Sequence, residues 1–96
     1  MMYQSLGIIE VEGFTTAVHV IDQMTKHAFI TIKHVEKTGA GLVTIMITGD
    51  LASVQAAIEM GSDTSYTLGD VIAVKVIPRP DPKIYGTLLP KDGDLI

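Results

Sequence analysis

The chain has 96 residues, a formal net charge of −4, no cysteine and a single arginine, Arg79. Without cysteine there is no disulfide framework and no thiolate metal site. Six scattered lysines and an aromatic content of 5% argue against a nucleic-acid binder, which needs a basic stripe and a stacking surface.

One domain with a thin core is expected, because a chain of this size buries only about 60–65% of the surface its unfolded state exposes. Yet 47% of the residues are hydrophobic. That excess predicts apolar surface covered by other subunits. No basic-then-apolar leader opens the chain, and no apolar run approaches the roughly 18 residues of a membrane span. A cytosolic protein is expected.

Residues 7–11 alternate, with Ile9 and Val11 on one side and Glu10 and Glu12 on the other, which predicts a strand. Gly13 ends it. Phe14, Ala17, Val18, Ile21, Met24 and Ala28 then recur at helical spacing, with Thr15, His19, Asp22, Gln23 and Lys26 opposite, so an amphipathic helix of about four turns is expected. Residues 29–36, rich in Ile, Thr and Val, predict a second strand.

The turn Lys37-Thr38-Gly39-Ala40-Gly41 follows. With almost no side chain, it presents backbone N–H and C=O groups and is free to take positive φ. Residues 42–48 are nearly all apolar and predict a strand buried on both faces. Asp50 is placed to cap a helix in which Leu51, Val54, Ile58 and Gly61 share a face. Gly69-Asp70 punctuates, and residues 71–77 form the last strand. The order β-α-β-β-α-β predicts an α+β, ferredoxin-like sheet with both helices on one face. Pro78, Pro80, Pro82 and Pro90 then exclude regular structure. Residues 1–80 are read as the domain, and 81–96 as a surface-lying tail with a mobile end.

Little here resembles catalytic chemistry. His19, His27 and His34 lie eight and seven apart, with no metal-ligand spacing, and read as surface or interface residues. Glu10 and Glu12 share a strand face but have no acid–base partner in sight. Gly39-x-Gly41 joins two strands instead of opening a helix, so it is no nucleotide fingerprint. No Ser or Cys stands in a nucleophile context. Asp22 and Lys26 form an i,i+4 pair. Arg79, stiffened by Pro78 and Pro80, is suited to anchoring carbonyls or carboxylates at an interface.

Five segments, in order, carry a resemblance. They are Leu6-Gly7-Ile8-Ile9-Glu10, Asp22-Gln23-Met24-Thr25-Lys26, Lys37-Thr38-Gly39-Ala40-Gly41-Leu42, Gly49-Asp50-Leu51-Ala52-Ser53-Val54 and Val74-Lys75-Val76-Ile77-Pro78-Arg79-Pro80. Together they resemble the single-domain hexameric shell proteins of bacterial microcompartments. The resemblance implies a structural role without catalysis or cofactor. Six subunits form a flat tile, tiles pack edge to edge with other shell proteins, and the shell encloses enzymes in the cytoplasm. It implies that residues Lys37, Thr38, Gly39, Ala40 and Gly41 line a pore for small polar metabolites, and that Lys26 and Arg79 meet neighbouring hexamers at the edge. Many members carry serine or glycine at the position of Ala40, and Phe29 is bulkier than the family leads one to expect near the edge. The tail beyond Pro80, with Ile84, Tyr85, Leu88 and Leu89, lies outside the match.

Two other classes share the size and element order. A trimeric ferredoxin-like regulator binding a nucleotide or metabolite would carry a longer loop and a more basic cleft. A small ferredoxin-like enzyme would need a nucleophile or metal constellation.

Overall fold

The computed structural model describes residues 4–68 and 71–80. Gly69, Asp70 and the tail 81–96, for which a turn and a surface-lying segment are expected from sequence, lie outside the described residues. The elements are β1 (Ser5–Glu12), α1 (Phe14–His27), β2 (Thr31–Gly39), β3 (Leu42–Gly49), α2 (Leu51–Leu68) and β4 (Val71–Ile77). They form one sheet in the order β2-β3-β1-β4, and every neighbouring pair is antiparallel. β1 and β2 are thus parallel but separated by β3, the split βαβ arrangement of an α+β ferredoxin-like fold.

Register follows from the pleat. Ile9 faces Ile45 and Val11 faces Val43 across the β1–β3 ladder, so these side chains point to one face. That face meets Ala17, Val20 and Met24 of α1 and Val54, Ala57 and Ile58 of α2 in one continuous core. Full burial of each large aliphatic side chain there contributes about 1.5–3 kcal/mol. On its other face β3 is buried at Met46 and Thr48, while Leu42 and Thr44 nearer the turn are half-buried, so the two-faced burial expected from its nearly all-apolar run holds for the second half of the strand.

Gly7 lies inside β1 with no room for a side chain. A Cβ there would come within 2.8 Å of Val54 Cγ1 and 2.9 Å of Ile47 Cγ1, because α2 crosses the strand at this point. Gly7→Ala is therefore expected to destabilise the fold by about 1–3 kcal/mol through overpacking. The check is a lowered urea midpoint at unchanged m-value.

Three details differ from the sequence reading. β2 starts at Thr31 and runs to Gly39, two residues later at its start and three beyond its expected end. The first shift arises because residues 28–30 turn the chain off the helix: the Ala28 N–H donates to Met24 O at 3.1 Å and the Ile30 N–H to Ala28 O at 3.0 Å. The second arises because pairing with β3 continues past irregularities at Ile32/His34 and Lys37/Gly39.

The buried face of α1 is also rotated from the expected one. Thr16, Ala17, Val20 and Met24 are buried, whereas Phe14 and Val18 are 58% and 50% exposed. Two helices share the sheet face, and α1 must meet α2 as well as β1 and β3, so its contact line turns away from Phe14 and Val18. In α2, Leu51 is exposed while Ala57 is fully buried.

The helix layer is narrower than the sheet. Val35, Ile45, Ile9 and Val74 form one cross-sheet row. The two central members are fully buried, while Val35 and Val74, on opposite edge strands, stand open to solvent.

The helix starts are built differently. Asp50 caps α2: the Ser53 N–H donates to Asp50 Oδ1 at 2.9 Å and the Ser53 hydroxyl to Oδ2 at 2.8 Å. These bonds, the backbone one first, hold the Asp50 carboxyl below its ordinary value of 3.8. A carboxylate whose folded pKa is depressed adds stability that is complete above pH 3.8 and is lost as pH falls through its folded value. Asp50→Ala should lower the melting temperature at neutral pH. Asp50→Asn should recover most of it and remove this group's share of the acid sensitivity. Thermal unfolding at pH 7 and pH 3 checks both.

Candidate functional site

The β2–β3 turn is made of backbone. Gly39, Ala40 and Gly41 have φ of 95°, 54° and 78°, three left-handed residues in succession. Ala40 and Gly41 are the two residues between the strands, and positive φ at both is the mark of a type I′ hairpin, whose twist matches that of the flanking strands. At Gly39 and Gly41 an added Cβ would meet nothing within 4 Å. These glycines are required for their φ angles and not for space. Ala40 carries the one side chain of the three, a methyl group at the tip.

The turn is tied down from below. The Gly13 N–H donates to Gly41 O at 2.7 Å, and Gly13 O accepts from the Ala17 N–H at 3.1 Å. Gly13 itself has φ 95° and opens α1 without a capping side chain. The Lys37 ammonium sits 4.7 Å from the centre of the Phe14 ring, within range of a cation–π contact. Gly13, Phe14, Lys37, Leu42 and Val43 wall a shallow cleft of about 330 Å³ beneath the turn. The parts played by Gly13 and Phe14 were not legible in sequence. The one available signal is a glycine before a helix that has no cap and no acid in its first turn.

Lys26 stands at the opposite end of the sheet. α1 starts beside the turn and runs back, so its last residues lie near the start of β1: Gln4 and Thr25 wall one cleft together with Gly49 and Asp50. At about 3.3 Å per residue, the eight residues of β1 put roughly 23 Å between the two ends. The Lys26 ammonium is 3.0 Å from Asp22 Oδ2, and both side chains are solvated. Arg79 is exposed just beyond β4, at this same end, since Leu6 pairs with Ile77 and the Ser5 hydroxyl donates to Pro78 O at 2.8 Å. Lys37, Thr38, Gly39, Ala40 and Gly41 thus cluster at one end of the subunit, and Lys26 and Arg79 at the other.

The remaining polar candidates are scattered. His19 and His27 are exposed along α1. On the open face of the sheet, His34 Nε2 lies 3.9 Å from Glu36 Oε1, and the Thr44 hydroxyl donates to Glu10 Oε2 at 3.3 Å. Among the described residues no group of three or more His, Asp or Glu side chains is arranged to hold a metal, and no helix is long and apolar enough to cross a membrane.

These features define a small α+β subunit with a backbone-built turn at one end, a charged patch at the other and uncovered valines on both sheet edges. The family model described as the BMC domain matches residues 5–80. The bacterial microcompartment shell protein PduA of Citrobacter freundii is 40% identical over 91 residues, covering 95% of this chain and 97% of the relative. The shell protein EutM of Escherichia coli K12 is 36% identical over 77 residues, 80% of this chain and 79% of the relative. The shell protein PduK of Salmonella typhimurium is 49% identical over 78 residues, 80% of this chain and 49% of that longer relative. A solved structure of a microcompartments protein from Desulfitobacterium hafniense has the same fold, with a TM-score of 0.78 at 23% identity, over 86% of this chain and 45% of that one. The chain belongs to the BMC-domain family of bacterial microcompartment proteins.

Proposed function

We propose that this protein is a structural subunit of a bacterial microcompartment shell. Six copies form a flat tile, with residues 37–41 around a central pore for small polar metabolites and with Lys26 and Arg79 on the rim. The tile packs against other shell proteins in the cytoplasm and performs no catalysis. The observation that carries this reading is the similarity to curated shell proteins along nearly the whole chain, 91 residues at 40% identity with PduA.

The geometry supports the finer parts. A ring needs one end of each subunit at the axis and the other at the perimeter, and the bare turn and the Lys26–Arg79 patch lie at opposite ends of β1. A closed ring also needs a head-to-tail interface between two different surfaces. The uncovered Val35 and Val74, on opposite edges of the sheet, provide apolar area on two such surfaces. At the axis, six turns would contribute backbone dipoles and six methyl groups, so the pore selects by size and backbone polarity. Lys37, held over Phe14, adds positive charge near its mouth.

Native mass spectrometry of the purified protein tests the assembly: six subunits are expected, and three would favour a trimeric metabolite-binding regulator instead.

A further inference from the structure

Among the described residues, the most exposed large apolar side chain lies at the rim end of the subunit. Phe29 is 91% exposed, in the short link between α1 and β2. Its backbone is held on both sides. The Ala28 and Ile30 N–H groups are bonded to Met24 O and Ala28 O. The Phe29 carbonyl lies so close to Gly49 that a Cβ there would come within 2.9 Å of it. A ring projected from a fixed backbone has only its own two torsions left to lose on docking, the property that makes aromatic residues good interface anchors.

Phe29 itself borders a cleft of about 600 Å³, whose other walls include Gln4, Thr25, Thr31, Gly49 and Asp50. A protruding ring and a hollow therefore share one patch. Such a patch is self-complementary about a two-fold axis, where each copy offers the same ring and the same hollow. Charge is arranged in the same sense. Lys26, paired with Asp22, and His27 end α1 next to Phe29, while the Asp50 carboxylate, bonded by Ser53, stands on the wall of the hollow. Seating the ring of one copy in the hollow of another brings the basic helix end of the first towards the acid of the second, which favours this pairing over others.

We propose that Phe29 inserts into the Thr25–Thr31–Asp50 cleft of a second copy of this chain, and that the second copy's ring inserts reciprocally, as the contact between neighbouring tiles. The proposal rests on the shell-tile reading for what the two copies belong to, but it names its own contact. It makes Phe29 an anchor that sets which subunits this chain accepts as edge neighbours, since a neighbour with a filled cleft or without the ring fits less well.

Three variants test it. Phe29→Ser removes the ring, and Thr31→Trp fills the hollow from an exposed position on an edge strand. Both leave the core untouched, so native mass should stay at that of the parent ring. Each is expected to raise the protein concentration at which sheets form by about tenfold or more, the scale of a lost interface anchor. The double variant Phe29→Ser/Thr31→Trp should be no worse than either single one, because ring and hollow act as one contact. Light scattering with electron microscopy of sheets supplies the readout. Unchanged sheet formation by Phe29→Ser, or two single effects that multiply in the double variant, overturns the insertion while leaving the tile reading intact. A parent protein that forms no six-membered ring overturns the tile reading itself.

Discussion

Lys26→Ala is expected to leave the hexamer intact and to abolish extended sheets. The side chain is 61% exposed, and its ion pair with Asp22 is solvated on both sides. Exposed i,i+4 pairs contribute only a few tenths of a kcal/mol, and alanine is the best helix former. Folding stability should therefore stay within about 0.5 kcal/mol of the parent. Any loss of assembly then belongs to contacts outside the subunit. The measurement is paired: native mass to count subunits in the ring, and electron microscopy to look for sheets. Rings that still tile without Lys26 would overturn its place at the edge.

The second large effect is expected at the turn. Ala40→Leu should block passage of polar solutes through assembled shells while the ring persists. Ala40 already has φ 54°, so the conformational cost of a Cβ in the left-handed region, about 1–2 kcal/mol, is present in the parent. Leucine adds bulk beyond Cβ without adding to that cost. Valine would add to it, because a β-branched residue at positive φ is a genuine outlier. The tip is exposed, and the Gly13–Gly41 bond below it involves backbone that the substitution does not touch. Solute efflux from shells assembled with the variant is the readout. Unchanged flux would remove the turn from the pore.

The two substitutions act at opposite ends of β1, so their effects should be separable. Lys26→Ala is expected to leave no sheet in which to measure flux. Ala40→Leu is expected to keep the proposed rim contacts and to alter only the proposed axis. If Ala40→Leu lost assembly as well as flux, a general loss of folding would be the cause, and the urea midpoint would reveal it.

Much of this architecture is readable along the chain because its causes are local. Alternation around Ile9 and Val11, the 3.6-residue recurrence from Ala17 to Met24, and the Asp50–Ser53 cap each depend on residues a few positions apart. The same holds for the turn: glycine on either side of Ala40 signals positive φ before any strand is paired. What was misjudged depends on the rest of the molecule. Phe14 and Val18 have the spacing of a buried stripe, but the direction α1 faces is decided by how two helices share one sheet. Gly7 reads as the first residue of a strand. Its purpose becomes visible only when Val54 and Ile58, about fifty residues later, are seen packed against it.

By itself, then, the sequence determined the order and type of the elements, the backbone-only character of the turn at Gly39-Ala40-Gly41, and through its similarity to shell proteins the family. Tertiary structure alone decided that this turn lies at the opposite end of the subunit from Lys26 and Arg79, that Lys37 rests on Phe14, and that Phe29 projects beside an open hollow. The physical reason is range. Periodicity and capping are fixed by neighbours within a turn or two of chain, whereas exposure and mutual position follow from strand register and helix packing, which join residues forty or more positions apart.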